Sequence, residues 1–62
     1  MKEIFKVSER KRFTGGTEIC MEQINTGISY SVPSYQINTE EDVKAIINVF
    51  FNIPLKDIKL SF

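Results

Sequence analysis

The sequence predicts an α+β domain of β-β-β-α-β order: a three-stranded antiparallel meander, one helix packed on one face, and a closing C-terminal strand. Three observations lead there. The first half alternates apolar and polar residues between glycine-bearing turns. The second half changes to a helical period behind a run of capping and acidic residues. The last residues, DIKLSF, alternate once more.

The strands come first. EIFKV and RF run into Thr14-Gly15-Gly16, TEICMEQI runs into Asn25-Thr26-Gly27, and ISYSV ends at Pro33. A three-residue loop at Thr14-Gly15-Gly16, with Gly16 in the left-handed position, is a common hairpin type. It sets Arg12 opposite Glu18, Arg10 opposite Cys20 and Ser8 opposite Glu22. A two-residue loop on Gly15-Gly16 would instead oppose Glu9 and Glu22, a like-charge pair that costs free energy. A two-residue turn at Thr26-Gly27 then sets Met21 opposite Val32 and Gln23 opposite Tyr30. Both turns agree on the dry face: Phe5, Val7, Phe13, Ile19, Met21, Ile28, Tyr30 and Val32 share it.

The helix follows. Thr39 (or Asn38) is a good N-cap, and Glu40, Glu41 and Asp42 fill the first turn, where the helix dipole favours negative charge. Asp42 stands three residues after Thr39, close to a capping box. Val43, Ile46, Ile47 and Phe50 fall at i, i+3, i+4 and i+7, and Asn52 and Pro54 end the run. Ile58, Leu60 and Phe62 then share one side of the closing strand and complete the expected core. A right-handed crossover makes that strand parallel to the first and third. It pairs beside strand one, giving order 3-2-1-4, or beside strand three.

Sixty-two residues make one domain, 1–62. A domain this small buries only about 60% of the surface of its unfolded chain, so its stability is marginal without help. Cys20 is the only cysteine and histidine is absent. An internal disulfide is therefore impossible, and no zinc-like ligand spacing exists. That leaves either very good packing or self-association as a homodimer. A single thiol suits a reducing compartment, and no apolar run reaches signal-peptide or membrane-span length; a soluble, cytoplasmic chain is expected. Net charge is zero but unevenly spread. Residues 1–16 carry five basic and two acidic side chains, whereas residues 17–45 carry one basic and five acidic.

Catalysis has little to work with. The commonest general base near neutral pH is missing, and Cys20 has no histidine to activate it. Consecutive Glu40, Glu41 and Asp42 splay around a helix axis and cannot converge on a metal or substrate. Thr-Gly-Gly-Thr lacks the lysine and following helix of a phosphate loop, so it reads as a hairpin turn. No catalytic residue, cofactor, metal or small-molecule substrate is expected.

The aromatics mostly fall on core positions. Phe51, one step off the helical stripe, and Tyr35, in the loop after Pro33, are the expected exposed pair, and exposed aromatics favour interfaces. The sheet face away from the helix should display Lys6, Ser8, Arg10, Arg12, Glu18, Glu22, Ser29 and Ser31, with Ile4, Cys20 and Ile24 among them. A short chain with this surface suits an inhibitor, adaptor or regulatory factor, of the kind phages and mobile elements often encode. It would bind a protein partner through the open face or an edge strand. The expected contact residues are Lys6, Arg10, Arg12, Glu18, Glu22, Tyr35 and Phe51.

In outline, a three-stranded sheet backed by a helix, with a basic first hairpin, resembles the arm-binding domains of tyrosine recombinases. That resemblance implies a sheet entering the DNA major groove, with Lys6, Arg10, Lys11 and Arg12 as phosphate or base contacts. It rests on strand order and the hairpin's charge alone, with no motif residue to carry over. Glu18 and Glu22 on the same face offset the arginines and repel phosphate, which ranks protein above nucleic acid as partner.

Overall fold

A computed structural model describes residues 2–62. Among them the chain forms β1 (Glu3–Lys11), β2 (Thr17–Gln23), β3 (Ser29–Pro33), α1 (Glu40–Phe51) and β4 (Ile58–Ser61). Short 3-10 turns at Ser34–Gln36 and Leu55–Asp57 flank the helix connections. The sheet order is β3-β2-β1-β4, with β1–β2 and β2–β3 antiparallel and β4 parallel to β1. The expected α+β fold is therefore present, and β4 lies beside strand one.

Both hairpins differ in register from the sequence expectation, and both differ by two residues. In the first, Arg10 opposes Glu18, Ser8 opposes Cys20 and Lys6 opposes Glu22. The loop is Phe13-Thr14-Gly15, one position earlier than expected. Gly15 N–H donates to Arg12 O at 3.1 Å and Arg12 N–H to Gly16 O at 3.0 Å. Gly15 has φ +105° and Gly16 +77°, so two left-handed residues close the turn where the expected loop used only Gly16.

In the second hairpin, Met21 opposes Tyr30 and Ile19 opposes Val32. The connection is the four-residue loop Ile24–Gly27, closed by Gln23 N–H to Ile28 O at 2.9 Å and Gly27 N–H to Gln23 O at 2.8 Å. Thr26 supports it from within: its hydroxyl donates to Gln23 Oε1 and accepts from Ile28 N–H. Side chains alternate with period two, so a two-residue slip changes partners and leaves every residue on its face.

α1 begins as the sequence expects. Thr39 Oγ1 accepts from Asp42 N–H at 3.4 Å, and Asp42 Oδ2 accepts from the Thr39 and Asn38 amides at 3.2 and 2.7 Å. This is a complete capping box. Asn52, left-handed at φ 57°, ends the helix, while Asn48 Nδ2 donates to Ile53 O at 2.8 Å.

The core is Phe5, Val7, Met21, Val32, Val43, Ile47 and Ile58, with Ile19, Tyr30, Ile37, Ile46, Phe51, Ile53 and Leu60 packed around it. On α1 the ridge facing the sheet is Val43–Ile47–Phe51, at i, i+4 and i+8. Phe51 meets Phe5 edge-on, with ring centroids 4.8 Å apart and planes at 76°. Phe50, expected in the core, is 59% exposed and stacks on Tyr30 at 4.1 Å, roofing the β3 side.

Three more core expectations are corrected. Phe13 stands in the loop, not the strand, and is wholly exposed. Ile28 precedes β3 and Phe62 follows β4, and both are exposed beyond the strand ends. The burial of β1 stops at Val7, so its last four residues are exposed on both faces.

Candidate functional site

The surface that folding leaves unused is the sheet face away from α1. Lys6, Ser8 and Arg10 reach it from β1, Glu18, Cys20 and Glu22 from β2, and Ser29 and Ser31 from β3. Cross-strand pairing sorts its charges, with Lys6 opposite Glu22 and Arg10 opposite Glu18. Arg10 Nε lies 3.6 Å from Glu18 Oε1. At the opposite end Ile4 and Ile24, joined by an Ile24 N–H to Ile4 O bond of 3.0 Å, are both exposed.

Arg10 also shapes the centre of this face. Its Nη2 donates to Cys20 Sγ at 3.0 Å, diagonally across the ladder. The guanidinium contacts the thiol from the open side, and Cys20 is only 5% exposed although α1 lies on the other face. The hydrogen bond to Cys20, the charge interaction with Cys20 and then that with Glu18 hold the Arg10 pKa above its ordinary value. Arg10 thus presents its charge at the centre of the face, with buried Cys20 beneath it.

Four of the seven expected contact residues therefore come together: Lys6, Arg10, Glu18 and Glu22. Arg12 does not face Glu18 as expected. The shifted loop puts it at the base of the turn, exposed and beside Phe13. Tyr35 is 78% exposed in the 3-10 turn after β3, as an exposed aromatic was expected to be. The turn's place against β2 is held by a 2.6 Å hydrogen bond between the Thr17 and Ser34 hydroxyls.

Phe51 is on the wrong side for the open face. Its ring belongs to the helix–sheet interface against Phe5, so the aromatic left outside is its neighbour Phe50. Sequence reasoning missed Phe13, the most exposed aromatic. The signal was available in the pair Gly15-Gly16: two consecutive glycines allow the loop to close one residue early.

Among the described residues, no three His, Cys, Asp or Glu side chains gather to hold a metal ion. No helix among them is long and apolar enough to cross a membrane. The chain matches no protein-family model, no curated protein and no solved structure.

Proposed function

We propose that this chain is a non-enzymatic protein-interaction module, an inhibitor, adaptor or regulatory factor that meets its partner with the uncovered sheet face. It acts in the cytoplasm, the setting a lone thiol fits. One observation carries the reading: the open face alternates Lys6/Glu22 and Arg10/Glu18 pairs and ends in the exposed Ile4 and Ile24. Mixed-sign charge beside apolar side chains suits another protein surface, because both signs and the apolar end find complements there. Glu18 and Glu22 on the same face would repel a phosphate backbone.

The test is a photo-crosslinking amino acid placed at Ser8 or Ser29, on the open face, and at Ala45, on the outer side of α1. In lysate of the native host, the two face positions should capture one common protein that the Ala45 position does not. Capture that is equal from all three positions, or absent from the face, overturns the reading.

One observation favours nucleic acid as a second reading. The β1 arm of the first hairpin is exposed at its end and carries Arg10, Lys11 and Arg12, with Phe13 in the loop, beyond the last β2–β3 pair at Glu18–Pro33. A two-stranded ribbon is narrow enough for the DNA major groove. Fluorescence anisotropy with duplex DNA and single-stranded RNA decides: phosphate contacts should give affinity that falls steeply with salt. No binding at low salt removes this reading.

A further inference from the structure

We propose that the free edge of β4 takes up an extended, acidic segment of a partner protein as a fifth strand. This rests on the reading that the chain binds protein, but it uses a different surface from the open-face charges. β4 ends the sheet and is paired on one side only, to β1. Along an edge strand, alternate peptide groups point outward and offer a ladder for another chain.

Beside β4 lies a groove of about 560 Å3, bounded by the N-terminal half of α1. Lys2, Lys44 and Lys59 line it, with Glu40 the single acidic side chain and Leu60 and Phe62 the apolar floor. Lys2 donates to the backbone carbonyl of Lys56, which leaves its ammonium two further donors. Lys44 stands on the helix side of this edge and Lys59, registered with Ile4, on the open side, so an incoming acidic strand meets a cation on either face. Its helix-facing side chains would cover Phe62, which is 74% exposed.

The charge pattern also selects among occupants. A second copy pairing β4 to β4 would bring two sets of these three lysines to one seam, a repulsive arrangement. The other sheet edge, β3, has sequence SYSVP: it carries no cation and ends in Pro33, which has no N–H to donate. An acidic strand therefore has reason to prefer β4 over β3.

The experiment titrates the isotopically labelled full chain with a blocked dodecapeptide of repeating Glu-Glu-Val-Val, which carries both residue types on each face of a strand, using a Lys-Lys-Val-Val peptide as its counterpart. Saturable amide shifts centred on Ile58–Ser61 and Lys44, with slowed hydrogen exchange in β4, are expected for the Glu peptide alone. The double variant K44E/K59E should weaken binding about tenfold, the effect of reversing two cations that face carboxylates. Lys44 sits on α1, so K44E alone still tests the charge argument should K59E disturb the strand.

Four results overturn the proposal: no saturable shift at millimolar peptide, equal binding of the Lys/Val peptide, shifts that map to β3, or sedimentation as a dimer whose β4 edges are already sealed. The readout is confined to β4 and a synthetic probe. Its failure is therefore separate from a failure of the open-face crosslinks.

Discussion

Arg10 and Cys20 are joined diagonally across the sheet, guanidinium Nη2 to Sγ at 3.0 Å, although the residue directly opposite Cys20 is Ser8. The diagonal exists because the first loop closes one residue early, which brings Arg10 opposite Glu18 and leaves its long side chain lying across the thiol. One side chain therefore contacts both a carboxylate of the open face and the chain's only cysteine.

Removing that side chain should uncover the thiol. Arg10→Ala is expected to raise the alkylation rate of Cys20 in the folded protein, measured with a thiol reagent at neutral pH. An unchanged rate would show that something other than Arg10 shields the sulfur.

The same contact should be silent in pH titrations. A cation whose folded-state pKa is raised contributes stability that is complete below its unfolded value and lost only as pH rises through the folded value. For Arg10 both lie in strongly alkaline solution. Unfolding midpoints of the native chain and Arg10→Ala should therefore run parallel from pH 5 to pH 7, below the range in which thiols ionise; curves that converge in that range contradict the assignment.

Phe51 and Phe50 should differ sharply. Phe51→Ala removes the ring packed on fully buried Phe5 and should cost about 3 kcal/mol. Phe50→Ala loses a half-exposed stack on Tyr30 and should cost about 1 kcal/mol. Denaturant unfolding ranks them, and the reverse order would mean α1 is rotated from its described position.

Gly15 separates backbone strain from packing. A Cβ there would meet no atom within 4 Å, yet φ is +105°. Gly15→Ala is thus expected to destabilise by about 1–2 kcal/mol through conformation alone. No loss on thermal unfolding would favour the loop placed one residue later, with Phe13 back in the strand.

These residues also mark what was legible beforehand. The faces of the sheet were readable because period-two alternation survives any even slip, and both hairpins slipped by two. Cross-strand partners were not, because Thr14-Gly15-Gly16 and Phe13-Thr14-Gly15 are both acceptable three-residue loops and only the two positive-φ glycines decide between them. The Thr39–Asp42 cap was local and therefore readable. Choosing between Phe50 and Phe51 needed the position of α1 over the sheet, a long-range property. For the site, Lys6, Arg10, Glu18 and Glu22 followed from alternation. The lysine-lined groove did not, since Lys2, Lys44 and Lys59 meet only once β4 takes its place beside β1.

The central claim is recognition through the open face, and a charge swap tests it most directly. Arg10→Glu with Glu18→Arg keeps a cross-strand pair within the chain and inverts what a partner sees. The protein crosslinked from Ser8 or Ser29 should be captured strongly by the native chain and lost from the swapped one, with circular dichroism unchanged. Capture at the native level by the folded, swapped chain would contradict the account.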